Sequence, residues 1–584
     1  MITSKRLKIS LVGMSPAIVQ KGVRLKGIPL APLALKAYVT SRIGKESLDS
    51  IDIQTRTFFV EEETVAEITS KILADKPDVV AFSVYIWNYR EAMECARILK
   101  ETDEKIFIIC GGPQVSPIAT EIMEEHSYLD AVTYIQTPGE VVFYQFVRAL
   151  IEKRNFDAVD GIIYRKPDGS LVKTSALTED IDYSTAASPY LNGQLSLDPG
   201  DAYTVVLEGF RGCPMDCGYC LWGCGIKKIN YFPLDRLLRE IEVVYRNPNI
   251  RQVIHSDSDM LLNRQRTEVI IKHIIKQDSL AESNFNVNIL NLNENIAKLL
   301  AKLPKYHFCF GIQTTNPKAL EHISRFRPDI EIFREKFRAF RQWVPNADFF
   351  IDIMLGLPGD DLEGFKTTLE ACLSFEPTRL RTFYPVFLLP GTRFFEQRKE
   401  LGIRHGQTAP FCVIETEDFP KQDIEKSFWL AFWTEVFTYY FPAIAKFFYE
   451  VCTGQPEEGR IDRIEKWIAA IEERLDIFGS YSSIVDVATS GSVQEWNKLR
   501  GQLLKGVSET KGAYQIYRAI YEQENNIHPG YIDTTIKLGI DVFDYMHLHK
   551  IDSVDFKNFN QLPSALTRGI HIDEVKNLFS RYAR

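Results

Sequence analysis

Short apolar runs alternate with helix-length stretches twice along this chain, and this alternation constrains the fold more than any other feature. The first series lies within residues 1 to 150. Its runs are Leu7 to Gly13, Ile51 to Phe59, Asp78 to Tyr85, Lys105 to Cys110 and Asp130 to Ile135. Strands separated by helices predict a parallel, doubly wound sheet. We therefore expect an α/β protein whose N-terminal domain, residues 1 to 150, is Rossmann-like.

Small and turn-forming residues follow several of these predicted strands. In a doubly wound sheet, ligands bind beyond the carboxyl ends of the strands, where the strand order reverses. Glycine at such a position lets the backbone approach a large planar ligand closely. The candidate ligand-binding residues are Ser83, Val84, Tyr85, Gly111, Gly112, Pro113, Gly139 and Glu140. Taken alone, they leave open a flavodoxin-like domain that binds another ligand or none.

The second series follows a connector. Residues 151 to 200 predict a linker that contains a hairpin turning at Asp168-Gly169. Residues 201 to 405 then carry the runs Thr204 to Leu207, Gln252 to His255, Asn284 to Leu290, Phe308 to Gln313, Phe350 to Leu355 and Arg381 to Leu388. Six strand–helix units are too few for a closed eight-stranded barrel, so they suggest an open partial (β/α)6 barrel. Polar residues at the carboxyl ends of its strands are the active-site candidates.

Three cysteines, Cys213, Cys217 and Cys220, lie on the loop after the first strand of this second series. Three thiolates on one short loop can ligate three irons of a four-iron cluster and leave the fourth iron open to a small molecule. Cys224 keeps two alternatives open, a closed zinc site and a fully ligated ferredoxin-type cluster. The spacing disfavours zinc, because no second Cys or His pair follows nearby.

This cysteine triplet, with Tyr219 before its last member, resembles the signature of the radical S-adenosylmethionine (SAM) superfamily. The residues that resemble the superfamily branch with an upstream cobalamin domain are Glu208, Arg211 and Gly212. The resemblance implies that Cys213, Cys217 and Cys220 hold a [4Fe-4S] cluster, whose open iron chelates SAM. An electron from the cluster then cleaves SAM to a 5'-deoxyadenosyl radical. Cys224 becomes a bystander near the cluster.

The N-terminal segment resembles the cobalamin (B12)-binding domain of cobalamin-dependent radical SAM enzymes. The matching stretches are Pro29-Leu-Ala-Pro32-Leu-Ala-Leu, Phe82-Ser83-Val84-Tyr85 and Gly111-Gly112-Pro113-Gln114-Val115-Ser116. The loop after the first strand lacks the histidine of the broader cobalamin-binding group, and the first histidine of the chain is His126. We therefore expect a cobalt without an imidazole ligand from that loop, shielded by a side chain such as Tyr85 or Trp87.

Further residues at strand ends are implied to lie near SAM. Asp257 and Asp259 stand where relatives often carry Gly-Gly-Glu, although aspartates there also cap helices. Gln313, Gly356 and Gly359 belong to two more family-like segments; the glycines would let backbone approach the adenine, or they form only a tight turn. We expect Arg325 or Arg327 to pair with the SAM carboxylate. Asparagines that could hold ribose or substrate are Asn288, Asn291 and Asn293. We expect His255 to be structural.

Residues 406 to 584 predict an α-helical C-terminal domain. An aromatic stripe with helical spacing runs from Asp423 to Glu450 and is broken near Pro442. Aromatic stripes usually form packed core, so we interpret it as core rather than as a substrate pocket. Helical periodicity continues at Arg460 to Ile477, Val493 to Leu504, Ala513 to Glu524 and Tyr531 to His547. The family resemblance implies that this domain helps to close the site and recognise substrate.

Composition restricts the partners. The chain has 584 residues, 45% of them hydrophobic, and a formal net charge of −9, which gives no electrostatic footprint for nucleic acid. The sequence starts without an apolar signal region and has no uncharged stretch of membrane-spanning length. We therefore expect a cytoplasmic protein that binds neither nucleic acid nor membrane.

The resemblance implies a cobalamin-dependent radical SAM methyltransferase. Its cofactors would be a [4Fe-4S] cluster, SAM and cobalamin. It would methylate an unactivated carbon of a small-molecule or peptide substrate, using methylcobalamin and a 5'-deoxyadenosyl radical, with electrons from a donor such as flavodoxin or ferredoxin. Two alternatives stay open: cyclisation, rearrangement or polar aromatic C-methylation with the same cofactors, and a non-catalytic iron–sulfur electron carrier or sensor that uses all four clustered cysteines.

Overall fold

The structure, a computed structural model, describes residues 6–20, 23–135, 138–193, 195–222, 226–324, 330–381, 386–407, 409–440, 448–449, 452, 457–472, 516 and 519–520. Three expectations lie outside these residues: the position of Cys224, the positions of Arg325 and Arg327, and the helical stretches beyond Glu472, apart from three isolated residues. The break of the aromatic helix near Pro442 also lies outside them. These expectations therefore stay predictions.

The described residues up to 175 form the first sheet, its flanking helices and a short hairpin that joins the second sheet. The strands are β1 (Leu7–Ser15), β2 (Ala17–Gln20), β3 (Val23–Gly27), β4 (Ile51–Phe59), β5 (Val79–Ser83), β6 (Phe107–Gly111), β7 (Ala131–Thr133), β8 (Ile162–Arg165) and β9 (Leu171–Lys173). The helices are α1 (Leu30–Arg42), α2 (Lys45–Leu48), α3 (Val65–Ala74), α4 (Tyr89–Thr102), α5 (Ala119–Glu125) and α6 (Gly139–Glu152).

The first sheet has the strand order β4-β1-β5-β6-β7-β8-β9. The first five of these strands are parallel, and helices cover both faces, so the doubly wound prediction is confirmed. The predicted hairpin is β8–β9, which extends the sheet with antiparallel strands. Strand order reverses between β1 and β5. The carboxyl edge of the first sheet, meaning the loops after β1, β5, β6 and β7, is therefore the expected ligand edge.

Residues 202–472 build the second α/β unit and the helices packed on it. Its strands are β10 (Ala202–Leu207), β11 (Phe210–Arg211), β12 (Asn230–Tyr231), β13 (Ile250–His255), β14 (Glu282–Phe285), β15 (Phe308–Gln313), β16 (Phe349–Ile353), β17 (Arg379–Arg381), β18 (Arg404–His405) and β19 (Val413–Glu415). Its helices are α7 (Leu234–Tyr245), α8 (Arg264–Ile275), α9 (Glu294–Leu300), α10 (Pro317–Ile323), α11 (Ile330–Trp343), α12 (Leu362–Leu373), α13 (Arg393–Glu396), α14 (Lys421–Glu435) and α15 (Arg460–Glu472).

Six parallel strands form the open partial barrel that the sequence predicts. β10, β13 and β14 pair in one group and β15, β16 and β17 in another. A parallel bridge between Ser283 and Tyr306 joins the groups. Within the described residues β10 and β17 do not pair with each other, so the barrel is open between them.

Two strand boundaries differ from the predictions. The third strand ends at Phe285, whereas we expected it to run from Asn284 to Leu290. The Asn288 side chain accepts a hydrogen bond from the Leu290 amide at 3.1 Å, which starts a helical turn instead. Asparagine competes with strand pairing in this way because its side chain satisfies nearby backbone groups. The sixth strand is described at Arg379–Arg381, and residues 382–385 lie outside the described part.

An unpredicted hairpin links the two units. β2 and β3 pair with each other, and β3 then pairs in parallel with β10, Leu25 lying opposite Ala202. The second sheet therefore has the order β14-β13-β10-β3-β2. Residues 17–27 come early in the chain but belong in space to the barrel unit.

The helical region after residue 420 packs on the barrel. α14 continues as a π-helix over Val436–Tyr440, and Trp433 and Phe437 are buried beside Trp467 of α15. The described part of the aromatic stripe is thus core, as we expected. Glu435 and Tyr439 reach the amino-terminal ends of β17 and β16. Every helix in the described ranges is too short or too polar to span a membrane.

Candidate active site at the barrel mouth and the carboxyl edge of the first sheet

The three-cysteine loop is anchored at both ends. β11 and β12 form a short antiparallel ribbon at its base, and the Cys213 amide donates to the Ile226 carbonyl at 2.9 Å. Across the loop, the Gly218 amide donates to the Ile323 carbonyl at 3.0 Å, and the Gly218 carbonyl accepts from the Phe394 amide at 2.9 Å. These bonds fix the loop at the carboxyl ends of the barrel strands.

Cys213, Cys217 and Cys220 line one cavity. The Trp222 amide lies 3.2 Å from the Cys220 sulfur, a contact of the kind that tunes cluster potentials. Within the described residues, no three His, Cys, Asp or Glu side chains are placed to hold a single metal ion. A four-iron cluster spreads its thiolates over different irons. The donor set of three half-buried thiols around one cavity therefore fits a cluster better than a single ion.

An interdomain ion-pair cluster (Glu140, Glu208 and Arg211) connects this loop to the first sheet. Arg211 donates to both carboxylate oxygens of Glu140, at 2.7 and 3.1 Å, and to both of Glu208, at 2.9 Å each. Burial by itself raises the pKa of Glu140, but the Arg211 guanidinium outweighs burial and holds the pKa below its ordinary value. Glu140, which we expected at the cobalamin, is therefore placed against the segment that leads to Cys213.

Asn88 organises the loop after β5. This buried side chain accepts a hydrogen bond from the Tyr85 amide at 2.8 Å and donates to the carbonyls of Met14 and Ser83 at 2.8 and 3.1 Å. The rings of Tyr85 and Trp87 stack at 4.6 Å. The loop after β5 is thus fixed to the end of β1, at the point where the strand order reverses.

The loop after β6, which holds Gly111, Gly112 and Pro113, packs directly on Val84. The Val84 amide donates to the Gly111 carbonyl at 2.7 Å. Gly112 has a φ of +121°, and a Cβ there would overlap the Val84 carbonyl oxygen. Beside it, Nε2 of buried Gln114 has no hydrogen-bond partner among the described residues. Tightly joined loops with an unsatisfied amide next to them fit an edge that binds a polar, planar ligand.

Replacing Gly112 by alanine is expected to destabilise the first sheet by roughly 2 to 4 kcal/mol, because the new Cβ meets backbone at a positive φ. The matched control is Gly139→Ala at the same edge. A Cβ on Gly139 would have no heavy atom within 4 Å, so the Gly139→Ala protein should melt at the wild-type temperature. Thermal unfolding of the two variants checks this, and equal melting temperatures would contradict the packing argument.

His126 lies away from this edge. It follows the carboxyl end of α5, and the helices of a parallel α/β sheet run back toward the amino ends of the strands. Its ring nitrogens lie 3.2 and 3.0 Å from the hydroxyls of Tyr89 and Tyr128. It is the only histidine in residues 1–150. Histidines of the first sheet are therefore not available at the carboxyl edge.

Asp257 supports the loop that leads to the cysteines. Its Oδ1 accepts hydrogen bonds from the amides of Gly209 and Phe210 at 2.7 and 3.0 Å, and burial raises the pKa of its carboxyl to about 7. Asp259 caps the next helical turn through the Leu261 amide at 3.0 Å, which is the capping role we considered. Asp257 thus lies beside the cysteine loop, and its Oδ1 is hydrogen-bonded to backbone amides of that loop.

Two of the three asparagines after β14 cap helical turns, and the third donates to an aspartate. Asn293 caps α9 through the Ile296 amide at 2.9 Å, and Asn288 caps the turn described above. Asn291 donates to Asp259 at 2.8 Å. Because the third strand ends at Phe285, Asn288 does not lie on it, contrary to our expectation. His255 is structural, as expected: it is buried 3.0 Å from the Tyr245 hydroxyl, and burial lowers its pKa to about 3.

Gln313, Gly356 and Gly359 lie on two loops that lock together. Gln313 has a φ of +71°, and its carbonyl accepts the Met354 amide at 2.8 Å. Gly359 packs on α10, where a Cβ would lie 2.6 Å from Cδ2 of His322. The backbone at Gly359 therefore packs closely against α10. Gly356, with a φ of +83°, forms the left-handed turn after β16.

Asp360 is the buried centre of these two loops. Its Oδ1 accepts hydrogen bonds from the Asn316 side chain at 2.9 Å and the Asp361 amide at 3.0 Å, and its Oδ2 from the Thr314 hydroxyl at 3.3 Å. Burial raises the pKa of Asp360 to about 6. The folded protein therefore prefers the protonated carboxyl, so its stabilising contribution is complete below the unfolded-state pKa of 3.8 and is lost as the pH rises toward 6.

Asp360→Asn should flatten this pH dependence, because an amide keeps the shape and cannot ionise. We expect its stability to match wild type at pH 4 and to exceed it at pH 7.5 by roughly 1 to 3 kcal/mol. Denaturant midpoints at the two pH values check this. Asp361→Asn, at the neighbouring exposed helix cap, is the control and should keep the wild-type pH slope. A wild-type slope in Asp360→Asn would contradict the assignment.

The barrel interior carries polar residues that sequence reasoning did not single out. Thr204, Gln252 and Glu282 lie side by side on β10, β13 and β14 and are linked by hydrogen bonds of 3.0 and 3.3 Å. On β16 and β17, Asp352 pairs with Arg381. The sequence did carry a signal for the second pair. Asp352 stands between two isoleucines, and Arg379 and Arg381 flank a leucine, as expected for strands with one polar face.

Two protein-family models match the chain. Residues 207–372 match the radical SAM superfamily, and residues 32–147 match the B12-binding domain. The first range contains the cysteine loop and most of the barrel, and the second contains the carboxyl edge from β5 to α6.

Curated relatives and solved structures agree with these matches. The cobalamin-dependent radical SAM methyltransferase TokK of Streptomyces tokunonensis is 25% identical over 62% of this chain, which spans about half (54%) of that relative. The uncharacterized methyltransferase PH0819 of Pyrococcus horikoshii is 27% identical over 64% of this chain and 79% of its own length. The cobalamin-dependent SAM radical enzyme OxsB, solved with aqua-cobalamin bound, covers 93% of this chain and 84% of its own at a TM-score of 0.59. At 14% identity, that last likeness establishes the fold alone.

Proposed function

We propose that this chain is a cobalamin-dependent radical SAM methyltransferase that methylates an unactivated carbon, because residues 207–372 match the radical SAM superfamily and residues 32–147 match the B12-binding domain. The observation that carries the proposal is the tie through Arg211. It joins the loop of three thiols to α6, which starts at the carboxyl edge of the first sheet. The cysteine loop and the carboxyl edge of the first sheet are therefore held together by one buried ion-pair cluster.

Cys213, Cys217 and Cys220 would hold the [4Fe-4S] cluster. SAM would then lie among the strand ends that carry Asp257, Gln313, Gly356 and Gly359. The cobalamin would lie on the carboxyl edge of the first sheet, against the residues Ser83, Val84, Tyr85, Gly111, Gly112, Pro113 and Gly139, whereas Glu140 is paired with Arg211. When bound, these cofactors supply a 5'-deoxyadenosyl radical and a methyl group.

The protein's own share is positioning. Hydrogen bonds at both ends of the cysteine loop fix its distance from the barrel, and Asn88 fixes the loop after β5. Holding reactants in one geometry lowers the barrier by removing the entropy of encounter. The barrel interior would take a small-molecule or peptide substrate, and the electron would come from a protein of the flavodoxin or ferredoxin type.

The test is anaerobic reconstitution with iron, sulfide and cobalamin, followed by SAM and a reductant. Mass spectrometry should find 5'-deoxyadenosine and S-adenosylhomocysteine together. With a deuterated substrate, deuterium should pass into 5'-deoxyadenosine. S-adenosylhomocysteine without deuterium transfer would favour polar methylation, and absence of both products would contradict an enzyme of this class.

A further inference from the structure

A cavity of about 760 Å³ lies on the outer side of the barrel, between α11 and α12. The carboxyl-terminal parts of the two helices are tied together: the Phe337 ring stacks on Phe375 at 4.5 Å, and Arg341 donates to the Glu376 carbonyl at 2.7 Å. Toward their amino-terminal ends the helices separate, and the first turn of α15 forms a third wall of the space between them. We call this space the α11–α12 cavity.

The α11–α12 cavity is separate from the barrel interior. Its floor is the end of β15 and the start of α10, with Ile312, Thr315 and Leu320 in the lining. Phe310 and Ile312 are buried on the helix side of β15, so Gly311 between them faces the barrel interior. A molecule in the cavity would therefore be separated from the barrel interior by the strand itself.

Most of the cavity surface is apolar. Ile312, Phe333 and Ile461 are buried side chains of this lining, and Leu320 and Ala371 add to it. Protein interiors are close-packed and contain few voids larger than a water molecule. An apolar cavity of several hundred Å³ with a few polar groups in its wall is the usual form of a small-molecule binding site.

The charged side chains in the wall restrict the charge of the ligand, because most of them are already paired within the protein. The pairs are Arg334 with Glu331, Lys366 with Glu465 and Glu370 with Arg460, at 3.2, 2.8 and 3.0 Å. The two other carboxylates of the lining, Glu363 and Asp462, are exposed to solvent, where an ion pair contributes little. A charged ligand would thus lose hydration without gaining a buried counter-charge, so the wall favours an uncharged one.

A threonine hydroxyl supplies a polar contact in the α12 wall. Thr367 lines the cavity and donates its hydroxyl proton to the Glu363 carbonyl at 2.8 Å. The lone pairs of its oxygen can therefore accept a hydrogen bond from a ligand. A hydroxyl group on an otherwise apolar molecule is the simplest uncharged donor that matches this wall.

We propose that the α11–α12 cavity binds an uncharged small molecule that has a largely hydrocarbon body and one hydroxyl group, which donates to Thr367. The cavity lies outside the barrel and away from the cysteine loop. This inference therefore goes beyond the proposed function and does not depend on it.

Saturation-transfer NMR tests the proposal on the full-length protein, with the cluster oxidised and with cobalamin and SAM present so that the cofactor regions are occupied. The probes are 4-biphenylmethanol, 4-biphenylcarboxylate and 4-biphenylmethylammonium, which share one apolar body and differ in the charge of the head group. The alcohol should bind the wild type. Each ion should bind about tenfold more weakly, because its charge would be desolvated without a free partner.

Two variants of the α12 wall assign the binding to this cavity. Ala371→Phe and Thr367→Trp place an aromatic ring in the space and should each lower the affinity for the alcohol by about tenfold or more. Thr367 is exposed and its hydroxyl bonds within α12, so Thr367→Trp tests the proposal even if Ala371→Phe fails to fold. Ala66→Phe, at an exposed alanine of α3 beside the first sheet, is the matched control and should bind the alcohol as the wild type does.

Three results would overturn the proposal. They are a wild type that binds none of the probes, an alcohol that binds no more tightly than either ion, and alcohol binding that survives in Thr367→Trp. Probe binding is measured without any reaction, so its failure leaves the proposed function standing. Conversely, a protein that binds the alcohol but never cleaves SAM would contradict only the proposed function.

Discussion

Cys217→Ala should yield protein without a four-iron cluster and without any cleavage of SAM. Cys217 is the middle ligand of a loop whose three thiols line one cavity, and a cluster held at two corners loses the protein ligand of a third iron. The apoprotein should still fold, because the loop is anchored by backbone hydrogen bonds on both sides. Iron and sulfide analysis after anaerobic reconstitution, with 5'-deoxyadenosine as the activity readout, measures the effect.

Cys224→Ala is the decisive control for this result. If only three cysteines hold the cluster, this variant should keep the wild-type content of iron and sulfide and should cleave SAM. If Cys224→Ala loses the cluster as completely as Cys217→Ala, all four cysteines are ligands. The chain would then be a closed iron–sulfur carrier or sensor, and the proposed enzyme would lose its open iron.

Glu140→Ala should have the second largest effect, on both stability and catalysis. Arg211 would keep only Glu208, and a buried guanidinium would lose half of its carboxylate contacts. Removing one partner of a buried ion pair costs about 3 to 5 kcal/mol, and the partial exposure of Arg211 places the expected loss at roughly 2 to 3 kcal/mol. Displacement of the cysteine loop relative to the first sheet should lower the rate of methyl transfer by about a hundredfold.

A comparison pair and a second readout separate this effect from general destabilisation. Glu415→Ala breaks the exposed contact with Arg404 and should cost less than about 1 kcal/mol. In Glu140→Ala, cleavage of SAM without substrate should fall less than methyl transfer, because only the latter needs both cofactor regions in register. Equal unfolding free energies for Glu140→Ala and Glu415→Ala would show that the interdomain cluster does not hold the units together.

The main architecture could be predicted because it depends on local pattern. Runs such as Leu7 to Gly13 and Phe308 to Gln313 are buried strands in the structure. Their spacing leaves room only for helices, which makes the strands parallel. The cysteine spacing likewise identified the loop now seen at the barrel mouth. Both signals lie within a few residues, where sequence and conformation are tightly coupled.

The parts that could not be predicted depend on long-range contacts. Nothing near Val23 indicates that β3 will pair with β10, some 175 residues later. The contact between Glu140 and Arg211 spans 71 positions, so Glu140 was instead expected at the cobalamin on the basis of its place in the sheet. The predicted third strand is too long because side-chain caps such as Asn288 end a strand without a change in hydrophobicity.

Two buried carboxyls show why individual roles at the site were hard to assign. Asp257 and Asp360 both follow or flank strand ends, where catalytic groups are expected. In the structure both accept backbone amides, and burial raises the pKa of each, to about 7 and about 6. A raised pKa in such a place often marks a catalytic acid or base, but here the hydrogen bonds show that each carboxyl also orders a loop.

The central claim is that the cluster has one iron without a protein ligand, available to SAM. Electron–nuclear double resonance of the reduced cluster, with SAM carrying a 15N label on its amino group, tests this directly. We predict a 15N coupling that appears on addition of SAM and is absent without it. A fully assembled cluster whose spectrum is unchanged by saturating SAM, with no 15N coupling, would contradict the account.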